Sequence, residues 1–310
     1  MISPQQKKSV QQAILRWYKN HRRKLIWRNS NNPYEIFVSE IMLQQTQVNR
    51  VQEKLPLFLK RFPHIHSLAA SSRADVLRAW SGMGYNHRAI RLHQCANIIA
   101  KKYSGKIPST MNELWNLPGV GTYTASAICA FAFQKNVAVV DVNIRRVYSR
   151  MFWKMSATNN VQSEKRIRSI AEILFPQNQS SQWHQAIMDL GATYCLARNP
   201  KCNECIINAV CVSAFKMKSP MLPKKKDSLY FGKPKRYWRG IIVEKLRTKK
   251  YGRYVSADVL LRNIFDENKI RHSIVCRKIF ANFFSELESD GMLESQTRAK
   301  KIFIRLQETL

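Results

Sequence analysis

Four of the seven cysteines in this 310-residue chain, Cys195, Cys202, Cys205 and Cys211, crowd into residues 195–211 with the spacing C-x6-C-x2-C-x5-C. Four thiolates so close in sequence can reach one centre only if the chain wraps around it, so a metal site is expected to organise this loop. Zinc usually takes two CxxC pairs separated by a longer loop. One CxxC flanked by single cysteines suits a four-iron cubane better, and a [4Fe–4S] cluster is expected here. Such a cluster can act as a staple without doing redox work. Arg198 and Lys201, in the first loop, serve either surface solubility or phosphate contacts from a stiffened loop. Cys95, Cys129 and Cys276 lie in apolar helical patterns and read as small core residues. An odd cysteine total argues against a disulfide framework.

The charge balance narrows the partners. Lys and Arg number 52 against 20 Asp and Glu, a formal net charge of +32. A globular chain this basic repels itself unless an anionic partner relieves the repulsion. Nucleic acid is the leading partner, because phosphate neutralisation rewards many dispersed cations. The plainer reading is a protein kept soluble by charge. No apolar run approaches the ~18 residues of a membrane span, and the segment 1–10 is polar. A soluble intracellular protein, cytoplasmic or nucleoid, without membrane association is therefore expected.

Most of the chain reads as helix, with apolar spacing at 8–19, 67–70, 73–80, 87–103, 111–116, 122–133, 143–153, 164–174 and 181–193. Asn32 and Pro33 give a cap followed by a first-turn proline, predicting a helix from Pro33 through Val48 toward Leu55. Residues 214–236, with Pro220, Pro223 and the run Lys224-Lys225-Lys226, read as a basic linker. Beyond it, helical patterns at 237–247, 256–265 and 275–289 precede two short strands at 291–294 and 301–306, the outline of a winged helix. From Val212 to Leu310 there are 23 Lys and Arg against 10 Asp and Glu, so this tail is also expected to touch DNA. The expected organisation is a mainly α domain over 1–213, a linker over 214–236 and a winged-helix-like domain over 237–310.

Two motifs carry chemistry. Leu117-Pro118-Gly119-Val120-Gly121 lies between helical patterns. Gly119 and Gly121 let the backbone approach closely and aim successive N–H groups outward. With the helix start at Thr122 they can hold a DNA phosphate, with a bridging monovalent cation at the hairpin. Asp141 ends the apolar run 137–140 and precedes a helical pattern, as an N-cap would. A helix N-terminus also favours an ionised carboxylate, and such an anion can stabilise an oxocarbenium-like sugar. Glu40 falls in the stripe of Ile36, Phe37, Leu43, Val48 and Val51 on a helical wheel. Desolvation there should raise its pKa, leaving a proton to deliver to a leaving base near neutral pH.

Together these pieces resemble a known family. Ile26-Trp27-Arg28, Pro33-Tyr34 and the stretch from Val38-Ser39-Glu40 to Gln44-Gln45-Thr46-Gln47-Val48 are similar to the N-terminal motif of the MutY-type mismatch adenine DNA glycosylases. Gly82-Met83-Gly84-Tyr85, the helix-hairpin-helix followed by T-x-T-A, Asp141-x-Asn143, Met188–Ala192 and the four cysteines follow in family order, over residues 10–213. The resemblance implies a two-lobed helix-hairpin-helix fold around a DNA-binding cleft, with the N-terminal helix returning to the cluster lobe. It implies that Glu40 protonates the leaving adenine and helps position water, and that Asp141 stabilises the sugar cation with support from Asn143. Tyr123 hydrogen-bonds near these carboxylates, Arg28 and Asp189 contact the flipped base, and Trp27 and Leu43 line the pocket. Gln45 and Tyr85 wedge into the duplex. Tyr123 replaces the lysine with which lyase relatives form a Schiff base, implying a monofunctional hydrolase.

Three features depart from that pattern. The tail resembles a winged helix where the family has a Nudix-like domain that reads 8-oxoguanine. Val142 stands where adenine glycosylases have Gly, and Asn86-His87 follow Tyr85 where the family has a second Tyr. The expected function is hydrolysis of mismatched adenine opposite G or 8-oxoguanine in double-stranded DNA, by a monomer. Alternatives are a thymine or uracil glycosylase for T·G or U·G pairs, and a non-catalytic DNA-binding regulator.

Overall fold

A computed structural model of the chain describes residues 3–153, 163–216, 228–248 and 253–308. It divides into two compact units: Met1–Glu40, Ser109–Asn116 and Val120–Lys224 form the first, and Ile41–Pro108, Leu117–Gly119 and Lys225–Leu310 the second. The middle of the predicted 214–236 linker, residues 217–227 with its lysine run, lies outside the described residues.

In the first unit, α1 (Pro4–His21) starts with a capping box. Ser3 Oγ accepts from Gln6 N–H while the Gln6 side chain accepts from Ser3 N–H. Its buried stripe, Val10, Ile14, Trp17 and Tyr18, packs against α11 (Ser180–Thr193). Tyr18 Oη donates to Gln185 at 2.7 Å, and Gln11 donates to the Leu174 carbonyl at 2.8 Å at the end of α10 (Glu164–Leu174). The first helix thus returns to the cysteine-bearing part, as the resemblance implied. The cluster of α2 (Pro33–Leu43), α7 (Met111–Trp115), α8 (Thr122–Phe133) and α9 (Val142–Phe152) supplies the remaining helices of this unit up to Glu40. α9 and α11 pack so closely at Gly191 that a Cβ there would lie 2.8 Å from Asn143 Cβ, so any larger residue forces the helices to shift.

One predicted helix is two. The pattern from Pro33 ends at Leu43, and α3 (Val48–Arg61) starts afresh after a turn in which Gln45 adopts φ +59°. Val48 and Val51 therefore do not share a stripe with Glu40, which is buried instead by the neighbours of its own helix and by tertiary packing. In the second unit α3, α4 (Ile65–Ala69), α5 (Arg73–Ala79) and α6 (His87–Lys102) bury Phe58, Leu68, Trp80 and Ile99.

The C-terminal part of this unit begins earlier than its sequence pattern suggests. Strands β1 (Leu229–Tyr230) and β2 (Lys233–Pro234) form a short hairpin inside the predicted linker, and Trp238 Nε1 donates to Tyr230 O. Then come α12 (Lys235–Arg247), β3 (Val255–Ser256), α13 (Ala257–Glu267), α14 (Ile274–Ser289), β4 (Leu293–Arg298) and β5 (Lys301–Leu306). The sheet order is β3-β5-β4, all antiparallel, with Arg298 facing Lys301 at the hairpin tip. Phe280 is fully buried among Trp238, Phe265 and Phe283, with ring centroids 5.2–5.7 Å away, and each such phenyl contributes about 2 kcal/mol of burial. The two-residue strand β3 was missed because so short a segment carries no alternation. None of the described helices is long and apolar enough to cross a membrane.

Candidate active site

Glu40, 3% exposed, lies near the C-terminal end of α2. Desolvation raises its pKa to about 7, and the nearby Asp141 charge adds to the rise. Opposing this, Tyr123 donates its hydroxyl hydrogen to Glu40 Oε2 at 3.0 Å, and the Arg28 charge favours the anion. Tyr123 stands in the first turn of α8. Burial, the two carboxylates and the hydrogen bond raise its own pKa well above the ordinary value, so it remains a donor.

Asp141 caps α9 as expected. Its Oδ1 accepts from Ile144 N–H at 2.6 Å and its Oδ2 from Asn143 Nδ2 at 2.7 Å. Burial nevertheless outweighs these donors and the Arg146 charge, and its pKa is raised rather than lowered by its place at the helix terminus. Val142 has ordinary helical backbone and an exposed side chain, so replacing glycine there does not disturb the cap.

The Asp141 network runs on to the cysteine loop. Asn143 Oδ1 accepts from Arg146 Nη2 at 2.8 Å, and Arg146 also donates to Gly191 O at 2.8 Å and Cys195 O at 2.6 Å. Arg150, one turn further along α9, donates to Leu196 O at 2.6 Å, Ala197 O at 3.1 Å and Cys195 Sγ at 3.3 Å. Neither arginine stood out in the sequence, where both belong to a basic amphipathic helix.

Cys195, Cys202, Cys205 and Cys211 all line one cavity, with Val147, Arg150 and Tyr194. Burial pushes the Cys205 thiol up to about 11 and raises that of Cys211, with the neighbouring cysteines adding to both shifts. Four thiolates this close are stable only around a cation. Among the described residues no three His, Cys, Asp or Glu side chains converge tightly enough for a single ion.

Arg28 and Asp189 come together differently from the expectation. Asp189 is fully buried, and both its oxygens are taken by Arg28, at 2.6 and 2.9 Å, and by Arg23. It orients Arg28, whose guanidinium also lies 5.9 Å from the Tyr18 ring. Trp27 is buried in a short 3-10 turn, Ile26–Arg28.

In the second unit, Leu43 is half-buried at the end of α2, while Gln45 and Tyr85 are exposed with left-handed backbones of φ +59° and +45°. That conformation costs a non-glycine residue about 1–3 kcal/mol and persists only where its surroundings hold it. Arg88 imposes it. This buried cation donates from Nη1 to Ile41 O and Met42 O, at 3.2 and 2.8 Å. From Nη2 it donates to Thr46 Oγ1, Met83 O and Gly84 O, at 2.7, 3.2 and 3.2 Å. It therefore ties the turn bearing Gln45 to the turn bearing Tyr85. Sequence reasoning missed it because an arginine in α6 reads as a solvated face. The hairpin turn is held by Gln44 Nε2, which donates to Gly119 O at 3.2 Å. Gly119 has φ +77° with Arg91 packed where a Cβ would stand. Gly121 starts α8 with no side-chain cap hydrogen bond.

The fold and these residues define a class. Residues 38–177 match the HhH-GPD superfamily base excision DNA repair protein model, and residues 195–211 the iron-sulfur binding domain of endonuclease III. The segment 38–177 thus resembles this base-excision superfamily, and residues 195–211 resemble its iron–sulfur loop. Within it, the chain resembles adenine DNA glycosylases: it is 38% identical to the one from Buchnera aphidicola subsp. Baizongia pistaciae, over 73% of this chain and 64% of that protein. With the one from Mycolicibacterium smegmatis it shares 42% identity, over 62% of this chain and 65% of that protein. The chain thus spans a little under two thirds of the length of these relatives. A solved thermostable thymine-DNA glycosylase superposes with TM-score 0.63 at 28% identity, covering 68% of this chain and 98% of that one.

Proposed function

We propose that this protein is a monofunctional DNA glycosylase that hydrolyses the N-glycosidic bond of adenine mispaired with G or 8-oxoguanine. The observation that carries the proposal is the buried Glu40, held near pKa 7 and bonded to Tyr123, beside the capped Asp141. Glu40 in its protonated form gives its proton to a ring nitrogen of the leaving base as the C1′–N bond breaks. The Asp141 carboxylate, fixed by Ile144 and Asn143, faces the cationic sugar that forms. Glu40, now an anion, takes a proton from the water that attacks C1′, and an abasic site remains.

Arg28, fixed by Asp189, and Trp27 and Leu43 contact the extruded base, while Gln45 and Tyr85 enter the duplex. Gly119, Gly121 and the first turn of α8 receive a backbone phosphate, with a monovalent cation bridging at the hairpin. The four cysteines hold the [4Fe–4S] cluster, which supplies a fixed loop geometry. Adenine is favoured by relatives of 38 and 42% identity, named as adenine glycosylases. Thymine or uracil opposite G is the second reading, favoured by the 28% identical thymine-DNA glycosylase structure.

The test is base release from duplexes containing A·G, A·8-oxoG, T·G and U·G pairs, followed by alkali to reveal abasic sites. Adenine release, lost in both Glu40→Gln and Asp141→Asn with DNA binding retained, is the expected result. Release of thymine or uracil moves the assignment to the second reading. Persistent release in either variant overturns the mechanism, and trapping of a covalent sugar adduct by borohydride overturns monofunctionality.

A further inference from the structure

The C-terminal domain does more in the second unit than sit at its end. α12 packs on α5, and Ala74 N–H donates to Gln307 O at 2.9 Å. Arg247, in the last turn of α12 and only 7% exposed at its side chain, reaches into the segment that carries Tyr85. Its Nε donates to Leu77 O at 2.8 Å and its Nη2 to Asn86 Oδ1 at 2.8 Å. Its Nη1 holds Glu244 at 2.5 Å, and Glu244 accepts from Ser81 Oγ at 3.1 Å. Residues 77, 81 and 86, before and after the Gly82–Tyr85 turn, are thereby fixed by one side chain and its partner.

Asn86 makes the arrangement specific. It is the N-cap of α6, a position where asparagine usually accepts from the first-turn amides. Here its side chain makes no such cap and is given to Arg247 instead. Asn86 is also one of the points where the chain leaves the pattern of its resemblance. From the other side, Trp80 Nε1 and Arg88 hold Gly84 O at 3.1 and 3.2 Å. Tyr85 is thus held in its left-handed backbone with the residue 43% exposed.

We propose that Arg247 is a positioning residue for Tyr85: the C-terminal domain, through Arg247 and Asn86, braces the turn that presents the Tyr85 ring to the gap beside an extruded nucleotide. The three bonds leave the guanidinium in three directions, which a lysine ammonium cannot reproduce. The proposal rests on the glycosylase reading above, in which Tyr85 enters the duplex.

The experiment uses the full chain and a mismatch duplex with 2-aminopurine next to the target base, whose fluorescence rises on unstacking. Wild type, Arg247→Ala, Asn86→Ala, Tyr85→Ala and the Arg247→Ala/Tyr85→Ala pair are compared for duplex affinity, unstacking and single-turnover release. Arg247→Ala and Asn86→Ala should each lower unstacking and release by about tenfold, with affinity for matched duplex within about twofold. Arg247→Ala should add nothing once Tyr85 is alanine, because its effect passes through that ring. Additive losses in the pair, or lost affinity with unchanged unstacking, overturn the proposal. If Arg247→Ala fails to fold, the Asn86→Ala/Tyr85→Ala cycle is read the same way. A wild-type protein that releases no base overturns the glycosylase reading, while the unstacking signal still tests Arg247.

Discussion

Arg146 donates to the main-chain carbonyl of Cys195 at 2.6 Å while the same guanidinium holds Asn143, the partner of Asp141. One side chain therefore joins the iron–sulfur loop to the carboxylate proposed to meet the sugar cation. Groups that orient ligands and catalytic residues in this way typically cost 10–100-fold when removed. Arg146→Gln should lower single-turnover base release by roughly that factor. The visible absorbance of the cluster should fall less than the rate; a full rate in the variant would show the link to be idle.

Glu40 makes both stability and activity fall as pH rises, stability between the ordinary and the folded pKa and activity above the folded one. Its folded pKa, about 7, lies above the ordinary value of 4.5, so between these limits the folded state holds the extra proton. Stability then falls as pH rises through that window, and the cost is complete above pH 7. Glu40→Gln removes the charge, and should be more stable than wild type by on the order of 2 kcal/mol at pH 8. The gap should close toward pH 4.5 in denaturant titrations. The variant should be inactive throughout, whereas wild-type release should decline above about pH 7 as the acid is lost.

Asp189 is fully buried against Arg28, whose side chain is 8% exposed. Taking away the carboxylate strands that cation. Asp189→Ala should cost about 3–5 kcal/mol in urea unfolding, and replacing Arg28 and Asp189 together by apolar residues should recover much of it. Equal losses in the single and double variants would mean that the pair matters for shape rather than charge.

Gly191→Ala places a Cβ 2.8 Å from Asn143 Cβ and 3.4 Å from Val147 Cγ2. α9 must then move away from α11, at a cost of about 1–3 kcal/mol for such overpacking. The shift falls on Asn143, so base release should drop further than stability alone explains. Wild-type release together with lowered stability would separate packing from catalysis.

What could be read from the sequence was local. The four cysteines, the cap at Asp141 and the winged-helix order are each written in a few neighbouring residues, and the structure has them near the expected positions. The helix pattern overran at Leu43 because Gln44–Gln47 keep an apolar neighbourhood, and nothing in a glutamine announces φ +59°. Arg88, Arg146 and Arg247 were illegible for a shared reason. A cation on an amphipathic helix looks solvated until tertiary structure brings main-chain oxygens to it, and these three meet carbonyls from other elements. The sequence suggests a base as the neighbour of Asp189, whereas the structure shows its oxygens accepting from Arg28 and Arg23, since sequence shows no distances. Val142 and Asn86 were visible as departures; only the structure says that the first is harmless to the cap and that the second has been turned toward Arg247.

Arg88 has a kinetic consequence. Its five acceptors come from both the α2 terminus and the turn before α6, so neither turn can open without breaking bonds that hold the other. Their amides should exchange with solvent deuterium as one cooperative unit, at a single opening free energy. In the proposed function Gln45 and Tyr85 are then not two mobile probes acting separately, but two teeth of one rigid comb, set at a spacing the protein fixes in advance.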